Sequence, residues 1–283
     1  MELDGLKTWV GRRMSVDDIA SLPPVASLSA TLDRADPPPQ PGDALPPLWH
    51  WLYFLDARPA SELGPDGHPK RGGFLPPVPL PRRMWAGSRL SFLAPIPLGS
   101  AIRRDSEILK VEIKEGRSGT LVFVTVKHLV HANGGLAVDE EHDIVYRNAP
   151  KPGDAPAAAR PAPSGAWTRG LTPDAVLLFR YSALTFNGHR IHYDHPYVTA
   201  VEGYPGLVVH GPLQATLMLD LVRRQRPAAR VERFSFRAVS PAFADRPIAV
   251  GGQPSEASPS IALWVANDAG NLAMDGEAVL ARA

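Results

Sequence analysis

The sequence contains no cysteine among its 283 residues. This absence excludes disulfide bonds, thiolate metal ligands and a cysteine nucleophile. The sequence also has no large excess of charge of one sign, because its 30 Lys and Arg residues are balanced by 29 Asp and Glu residues. A broad nucleic-acid-binding surface or a polybasic membrane surface is therefore not expected, whereas a small basic patch for an anionic ligand is allowed.

Long hydrophobic runs are absent too. No apolar stretch reaches the roughly 20 residues that a membrane-spanning helix needs. The first residues, MELDGLKTWVGRR, do not have the basic and then apolar pattern of a signal peptide. We therefore expect a cytoplasmic protein that binds neither membranes nor nucleic acid.

What the sequence does have is proline, at 31 residues, and an apolar fraction of 44% that permits a large core. Residues 149–165 are rich in Pro, Ala and Gly without periodicity, which is typical of a linker. On either side, helical or irregular segments precede several strands with β-type patterns. The sequence thus predicts an α+β protein with an N-terminal module over 1–148 and a C-terminal module over 166–283.

Two stretches have the apolar spacing of helices. The first covers residues 16–33, although Pro23 and Pro24 must break or restart it. The second covers residues 207–222 and is strongly apolar. His210-Gly211-Pro212 lies near the start of this second helix, where unpaired backbone N–H groups could stabilise an oxyanion or an enolate. The same three residues also fit an ordinary helix start.

The groups best suited to proton transfer lie within nine residues, which include Asn187, His189, His192, Asp194 and His195. A neutral imidazole can accept or donate a proton near pH 7, so His192 is the predicted acid–base group. Asp194 could act as a base or orient His192, or it could support the turn that follows. Three histidines could ligate a metal, but no regular zinc motif such as HExxH is present, so no metal is predicted.

This segment reads YSALTFNGHRIHYD from Tyr181 to Asp194, and Val209-His210-Gly211-Pro212 follows it. Its spacing resembles the signature of the R-specific enoyl-CoA hydratases with the MaoC-like hotdog fold. It is more similar still to a subgroup with the pattern TFNxHxIHY, which includes mitochondrial 3-hydroxyacyl-thioester dehydratases and bacterial hydratases of branched dicarboxylic acyl-CoAs. The segments LPPLWHWLYF and KEGRSGTLVFVTV resemble the bacterial proteins as well, so the resemblance covers nearly the whole chain.

The resemblance implies a double hotdog, in which two antiparallel sheets each wrap around a central helix. It implies a hydro-lyase that adds water reversibly across the double bond of an α,β-unsaturated acyl-CoA, with no cofactor besides the CoA of the substrate. A branched C5 dicarboxylic substrate is implied, such as mesaconyl-C4-CoA or itaconyl-CoA. The alternatives are a 3-hydroxyacyl-ACP or -CoA dehydratase of fatty-acid metabolism, a thioesterase, or a non-catalytic acyl-thioester-binding protein. The expected assembly is a monomeric double hotdog or a homodimer.

The resemblance also implies roles for single residues. His192 is the expected acid–base group, and the N–H of Gly211 is expected to hold the enolate. The wider family has a catalytic Asp where this chain has Asn187, which cannot act as a base and is expected to position water or substrate. Asp194 is a further catalytic candidate. Substrate binding is expected of Tyr181, of His210, of Arg190 at a distal carboxylate, and of basic residues that would meet the CoA phosphates, namely Lys70, Arg71, Arg82, Arg83, Lys114 and Arg117.

Overall fold

A computed structural model of the chain describes residues 3–116, 119–149 and 159–282. The strands are β1 (Arg13–Ile19), β2 (Arg82–Phe92), β3 (Ala101–Gly116), β4 (Gly119–Ala132), β5 (Gly135–Arg147), β6 (Trp167–Leu171), β7 (Val231–Ala238), β8 (Ile248–Pro254), β9 (Ser260–Ala266) and β10 (Leu272–Leu280). The α-helices are α1 (Leu22–Thr31), α2 (Ala175–Leu184), α3 (His195–Ala200) and α4 (Gly211–Gln225). Short 3-10 helices cover Leu3–Trp9, Trp49–Leu52, Ala60–Glu62 and Arg190–His192.

The strands form one ten-stranded antiparallel sheet, in the order β1-β3-β4-β5-β2-β7-β10-β9-β8-β6. One side of it, β1 to β5, comes from the N-terminal half of the chain, and the other side comes from the C-terminal half. The two sides meet where β2 pairs with β7, with Ser88 opposite Phe236. The predicted α+β class is confirmed, and the two half-sheets are joined edge to edge.

The helix expected over residues 16–33 is correct only in its second part. Residues up to Ile19 form β1, which alternates between exposed and half-buried positions and pairs with β3. Helix α1 starts after Ser21, with Pro23 and Pro24 in its first turn. Proline is tolerated there because the first N–H groups of a helix have no intrahelical partner. The two prolines thus begin the helix instead of interrupting it.

Helix α4 is the buried helix of the C-terminal half. Every residue from Leu213 to Val222 is buried, and the helix packs on β6, β8, β9 and β10. The predicted second helix is therefore confirmed, although it begins at Gly211. Helix α4 thus covers this side of the sheet.

A buried charge cluster ties α4 to the N-terminal half. Asp220 of α4 is paired with Arg34, with Arg169 of β6 at 2.9 Å and with Arg224 at 2.7 Å. Arg169 and Arg224 also donate hydrogen bonds to the carbonyl of Leu32, which follows α1. Both carboxylate oxygens of Asp220 thus have cationic partners, as a buried carboxylate requires.

The N-terminal half-sheet is covered differently. Among the described residues of this half, the longest α-helix is the ten-residue α1, which packs against α2. Two hydrophobic clusters lie on this half-sheet: one contains Val130 and Val138 and continues into the C-terminal half, whereas the other contains Val122 and Val124. The sheet face between the clusters is polar, and it lines the site described below.

The linker expected at 149–165 falls mostly on residues 150–158, which lie outside the described part of the chain. In the described end of this segment, the N–H of Ala162 donates a backbone hydrogen bond to the carbonyl of Gly270 at 2.9 Å, beside the turn between β9 and β10. The division into modules at these boundaries stays a prediction. Within the described residues, none of the helices is long and apolar enough to cross a membrane.

Candidate active site

The motif segment forms a compact loop between α2 and α3. Phe186 has a left-handed backbone conformation, with φ +50°, and turns the chain out of α2. The N–H of Asn187 then bonds back to the carbonyl of Ser182 at 2.8 Å. A single 3-10 turn, Arg190–His192, follows and directs the His192 side chain into the protein interior.

His192 is held in one tautomer by the backbone. Its Nδ1 lies 2.7 Å from the carbonyl oxygen of Val208, and the N–H of Val208 bonds to Ile191 at 3.0 Å. Because a carbonyl can only accept, Nδ1 must carry the proton, which leaves a lone pair on Nε2. Burial lowers the pKa of His192 to about 4, although the bond to Val208 acts in the opposite direction. The ring is therefore neutral near pH 7 and can serve as a base.

His210 and Tyr181 pack behind His192. The His192 and His210 rings are stacked, with centroids 3.6 Å apart, and Tyr181 lies edge-on to His210 at 5.1 Å. The Nε2 of His210 is 2.8 Å from the hydroxyl of Ser182, while its buried Nδ1 has no hydrogen-bond partner among the described residues. Burial, with the nearby His192, lowers the pKa of His210 well below its usual value. Both rings thus fix the position of His192.

The amino end of α4 is open beside Gly211. The first N–H groups of an α-helix have no intrahelical acceptor and carry a partial positive charge. A Cβ built on Gly211 would come no closer than 3.8 Å to any side chain or neighbouring element, its nearest atom being the Cε of Met274. Packing within the described residues therefore does not require glycine here, and free space lies beside the Cα of Gly211.

Asn187 is half-buried and lines a cavity between the halves. Its Oδ1 accepts a hydrogen bond from the N–H of His189 at 3.0 Å. With this orientation the amide nitrogen keeps two N–H groups that can donate to a ligand or to water. The side chain is thus placed as a hydrogen-bond donor, in keeping with the positioning role expected of it.

Asp194 and Arg190 are bonded to each other and to the backbone. Asp194 caps α3 by accepting the N–H of Tyr197 at 3.0 Å, and its Oδ2 also accepts from Arg190 at 2.9 and 2.8 Å. Arg190 donates in addition to the carbonyl of Pro65 at 2.9 Å and lies 4.0 Å from the ring of Tyr197. These contacts match the turn-supporting alternative for Asp194. A catalytic role for Asp194 and a substrate-binding role for Arg190 stay predictions.

A loop of the N-terminal half covers His189. Gly67 has φ +87°, and a Cβ there would lie 1.9 Å from the carbonyl oxygen of Gly188, so only glycine fits. This close approach places Asp66 and His68 beside His189, with ligating atoms within 4.8 Å of one another. Two imidazoles and a carboxylate could hold a metal ion, although Asp66 and His68 are already hydrogen-bonded at 3.0 Å. The prediction of no metal remains untested.

The basic residues expected at the CoA phosphates differ in their surroundings. Five of the six are bonded within the protein: Lys70 to the carbonyl of Ser61, Arg71 to the carbonyls of Val78 and Pro81, Arg82 to Glu202, Arg83 to the side chain of Tyr146, and Lys114 to Glu112. Arg83 lies near His189 of the motif loop and near His68; burial lowers the pKa of both histidines, and the charge of Arg83 lowers it further. Arg117 lies outside the described residues.

The cavity has a volume of about 260 Å³. On the C-terminal side its wall includes Asn187, Pro212 and Tyr181, and its opposite wall is the inner face of the N-terminal half-sheet. The residues contributed by that sheet include Arg104 of β3, His128 of β4, and Glu140 and His142 of β5. The cavity thus lies between the motif segment and a row of polar side chains.

Glu140 is the most heavily bonded member of that row. Its carboxylate accepts hydrogen bonds from Trp51 at 3.1 Å and Ser88 at 3.0 Å, and lies 3.1 Å from Nε2 of His50. Burial opposes ionisation, but the bond to His50 and its charge lower the pKa of Glu140 to about 2. Sequence reasoning missed this wall. The sequence feature that could have indicated this wall is the presence of polar residues at inward positions of apolar strands, as in VFVTVKHLV and DEEHDIVY.

Comparisons with known proteins agree with this architecture. The sequence pattern of the family described as hydroxyacyl-thioester dehydratase type 2 matches residues 48–244. A mesaconyl-C(4)-CoA hydratase of Chloroflexus aurantiacus is 47% identical over 251 residues, which cover 87% of this chain and 88% of the relative. The mitochondrial hydroxyacyl-thioester dehydratase type 2 of Schizosaccharomyces pombe is 31% identical over 237 residues, covering 73% and 77%.

Solved structures show the same fold. A MaoC-like dehydratase from Phytophthora capsici superposes with a TM-score of 0.66 over 100% of both chains, at 15% identity. A Mycobacterium tuberculosis protein described as a double hotdog superposes with a TM-score of 0.61 at 15% identity, over 99% of this chain and 98% of that one. The expected double hotdog fold is therefore confirmed.

The matched family and the Chloroflexus relative show that the chain is an enzyme of the hydro-lyase class, as the resemblance implied. The chain belongs to the hydroxyacyl-thioester dehydratase type 2 family.

Proposed function

We propose that this enzyme adds water to the double bond of a short, branched, unsaturated dicarboxylic acyl-CoA. Mesaconyl-C4-CoA is the substrate to test first. The observation that carries the chemistry is the fixed tautomer of His192, whose Nε2 lone pair is a base beside the amino end of α4. The choice of substrate rests on the name of the Chloroflexus relative and on its 47% identity over most of both chains.

In the proposed reaction, the thioester carbonyl accepts a hydrogen bond from the N–H of Gly211. The helix dipole and this donor stabilise the negative charge that develops on the carbonyl oxygen. His192 Nε2 takes a proton from water while the water oxygen attacks the β-carbon, and the electrons of the double bond move to the enolate. His192 then returns the proton to the α-carbon, which restores the neutral ring and completes the addition of water.

In this scheme Asn187 does not act as a base; it orients the water that His192 deprotonates. Its free N–H groups can donate to the water oxygen, so that one water proton faces Nε2 of His192. A single histidine can then act first as the base and afterwards as the acid. Arg83, beside the motif loop, is the basic residue proposed to meet a phosphate of CoA.

The reverse reaction, dehydration of a 3-hydroxyacyl thioester, uses the same groups in the opposite order. The Schizosaccharomyces pombe relative is named for that direction. We therefore expect the enzyme to catalyse both directions, with the equilibrium set by the substrate.

The test is the variant His192→Asn, which keeps an amide N–H for the carbonyl of Val208 but removes the base at Nε2. Since proton transfer by a positioned side chain contributes typically 10²–10⁴-fold, kcat for hydration of mesaconyl-C4-CoA should fall by about that factor. Loss of the enoyl-thioester absorbance measures the rate.

The matched control is His195→Gln, because His195 is exposed in the same segment. This variant should keep the wild-type rate. An active His192→Asn enzyme, with a rate within about threefold of wild type, would remove the base from the mechanism.

A further inference from the structure

The polar wall of the cavity occupies positions where a sheet normally buries apolar side chains. Strand pairing places Ser106 opposite His128, and His128 opposite Glu140. On either side of this row, Val130 pairs with Val138 and belongs to one hydrophobic cluster, whereas Val126 belongs to the other. The row is therefore an interruption of the core by polar residues from three neighbouring strands.

Most polar groups of this wall have partners inside the protein. Glu140 has its three neighbours, and Ser106 is 2.8 Å from Nδ1 of His128. Buried polar groups without a partner lower the stability of a protein. In this wall, two buried nitrogens have no hydrogen-bond partner among the described residues, namely Nε of Arg104 and Nε2 of His142.

Arg104 is the unusual member, because it brings a positive charge to the cavity. No carboxylate of the described residues forms an ion pair with it, and its only hydrogen bond is a long one, 3.5 Å, to the carbonyl of Phe54. Burial lowers its pKa, while the charges of Glu140, Asp56 and Asp18 act in the opposite direction. Arg104 is half-buried, and its guanidinium lies 5.2 Å from the ring of Phe54. Because its buried Nε has no partner, an anion that enters the cavity would supply the charge with the partner it lacks.

His142 presents the second open nitrogen at the same cavity. Its ring is stacked on Trp85, with centroids 3.9 Å apart and planes 30° apart, which restricts its orientation. Glu140, in the same wall, is negative, but its two oxygens are already engaged by His50, Trp51 and Ser88. The nitrogens of this wall that have no partner are therefore those of Arg104 and His142, and Nε2 of His142 donates to an anion in the tautomer that carries a proton there.

We propose that Arg104 and His142 form a carboxylate-binding subsite that recognises the free carboxylate of a dicarboxylic acyl thioester. Arginine suits this role because its planar N–H groups bind a carboxylate in a bidentate manner. The cavity also contains Asn187 and Pro212 on its other side, so a ligand could reach both walls. This inference rests on the proposed function and names the feature that selects the substrate class.

The subsite also rejects neutral substrates. A short acyl chain without a carboxylate would leave the guanidinium of Arg104 unpaired, whereas a carboxylate would neutralise it. Sites built to bond a polar group discriminate strongly against analogues that lack it, because their own polar groups are left unpaired. The cavity volume of about 260 Å³ lies below that of typical drug-sized pockets, and so suits a short acyl group.

Two thioesters make a matched pair of probes. Mesaconyl-C4-CoA carries a methyl group and a carboxylate on its β-carbon. In 3-methylcrotonyl-CoA a second methyl group replaces that carboxylate, so the two substrates have similar shape and differ in charge. The wild-type enzyme should have a kcat/KM for mesaconyl-C4-CoA at least about 100-fold higher than for the neutral analogue.

The variant Arg104→Gln tests the subsite directly. Losing one partner of a buried charge-assisted pair costs 2–5 kcal/mol, so kcat/KM for mesaconyl-C4-CoA should fall by about 30-fold or more. The kcat/KM for 3-methylcrotonyl-CoA should stay within about threefold or rise. The control is Arg103→Gln, which removes the exposed arginine of the adjacent position on β3 and should change neither value.

Thermal shift supplies a readout that does not depend on turnover. Mesaconyl-C4-CoA should raise the Tm of the wild type and of Arg103→Gln more than 3-methylcrotonyl-CoA does, and this difference should vanish in Arg104→Gln. An equal loss of kcat/KM on both substrates, or a wild type that prefers the neutral analogue, would overturn the subsite. A wild type that hydrates neither substrate nor crotonyl-CoA would instead refute the proposed function.

Discussion

The two halves of the sheet cover their inner faces in opposite ways. In the C-terminal half the ten residues Leu213–Val222 of α4 are buried, and the charge on Asp220 is paired with three arginines. In the N-terminal half a cavity faces polar side chains, and Arg104 has no ion-pair partner among the described residues. The first arrangement is complete by itself, whereas the second is completed only by a ligand.

In this fold, the cluster around Asp220 contributes to stability, whereas the polar wall with Arg104 is proposed to bind the ligand. The paired charges of Asp220 connect α4 with the end of α1, and so hold the halves together. The open donors of Arg104 and His142 have a cost in the free enzyme that a bound anion would offset. Buried charge alone therefore does not mark a functional site, and its pairing has to be examined.

The largest expected effect is on the free energy of unfolding, and it comes from the paired charge cluster around Asp220. The change Asp220→Ala leaves Arg34, Arg169 and Arg224 without their shared carboxylate, and should lower the free energy of unfolding by about 3–5 kcal/mol. Denaturant unfolding measures it. The contrasting variant, Arg104→Met, removes an unpaired charge and should leave the stability of the ligand-free enzyme unchanged or higher. If both variants were equally destabilised, the two clusters would not differ as described.

The next effect concerns the end of α4. The change Gly211→Ala puts a methyl group beside the amide that is proposed to bind the thioester carbonyl. Alanine keeps the backbone N–H, but its methyl group would occupy space beside that donor and hinder the approach of the carbonyl. Since removal of one such donor typically costs 10²–10³-fold in kcat, a fall of up to about 100-fold is expected for hydration. Stability should be nearly unchanged, because the nearest atom, Met274 Cε, would be 3.8 Å away. Gly170→Ala, with no neighbour within 4 Å, is the control and should keep full activity.

The smallest effect, counted per residue and per pH unit, is a dependence of stability on pH that arises in the buried histidines. Burial lowers the pKa of His142 and of His192 to about 4, and that of His128 to about 3, from 6.5. The unfolded chain then binds more protons than the folded one below pH 6.5, so stability falls with decreasing pH between about 6.5 and 4. Each histidine contributes at most about 1.4 kcal/mol per pH unit.

Denaturant midpoints measured from pH 7.5 to 4.5 would show this slope. The variant His142→Asn should make it shallower, whereas His195→Gln, at an exposed position, should not. A stability that stays constant over this range would mean that the three histidines are not buried in their neutral form.

The sequence reveals those features that are local along the chain. The alternation of valines predicts β4, and the apolar spacing predicts α4, because each element carries its own period. The motif loop is equally local, so His192, Asn187 and Gly211 could be singled out without a structure. Short elements were missed, such as β6, whose five residues WTRGL show little apolar alternation.

The polar wall could not be predicted because it depends on strand register. Arg104, His128 and His142 lie on three different strands, and only the pairing of β3 with β4 and of β4 with β5 brings them together. Each one taken singly looks like an ordinary polar residue of an amphipathic strand. The same is true of Asp66 and His68, which reach His189 through a loop that composition alone marks only as irregular.

The most direct test of the central proposal follows the oxygen atom of the added water. The enzyme would be incubated with mesaconyl-C4-CoA in water labelled with ¹⁸O, and the products analysed by mass spectrometry. We predict an intact thioester that has gained one labelled water, with the label in a hydroxyl group on the β-carbon, and about 10²–10⁴-fold slower formation of this product by His192→Asn. Free CoA together with a labelled carboxylate and an unchanged double bond would instead show a thioesterase and contradict the proposal.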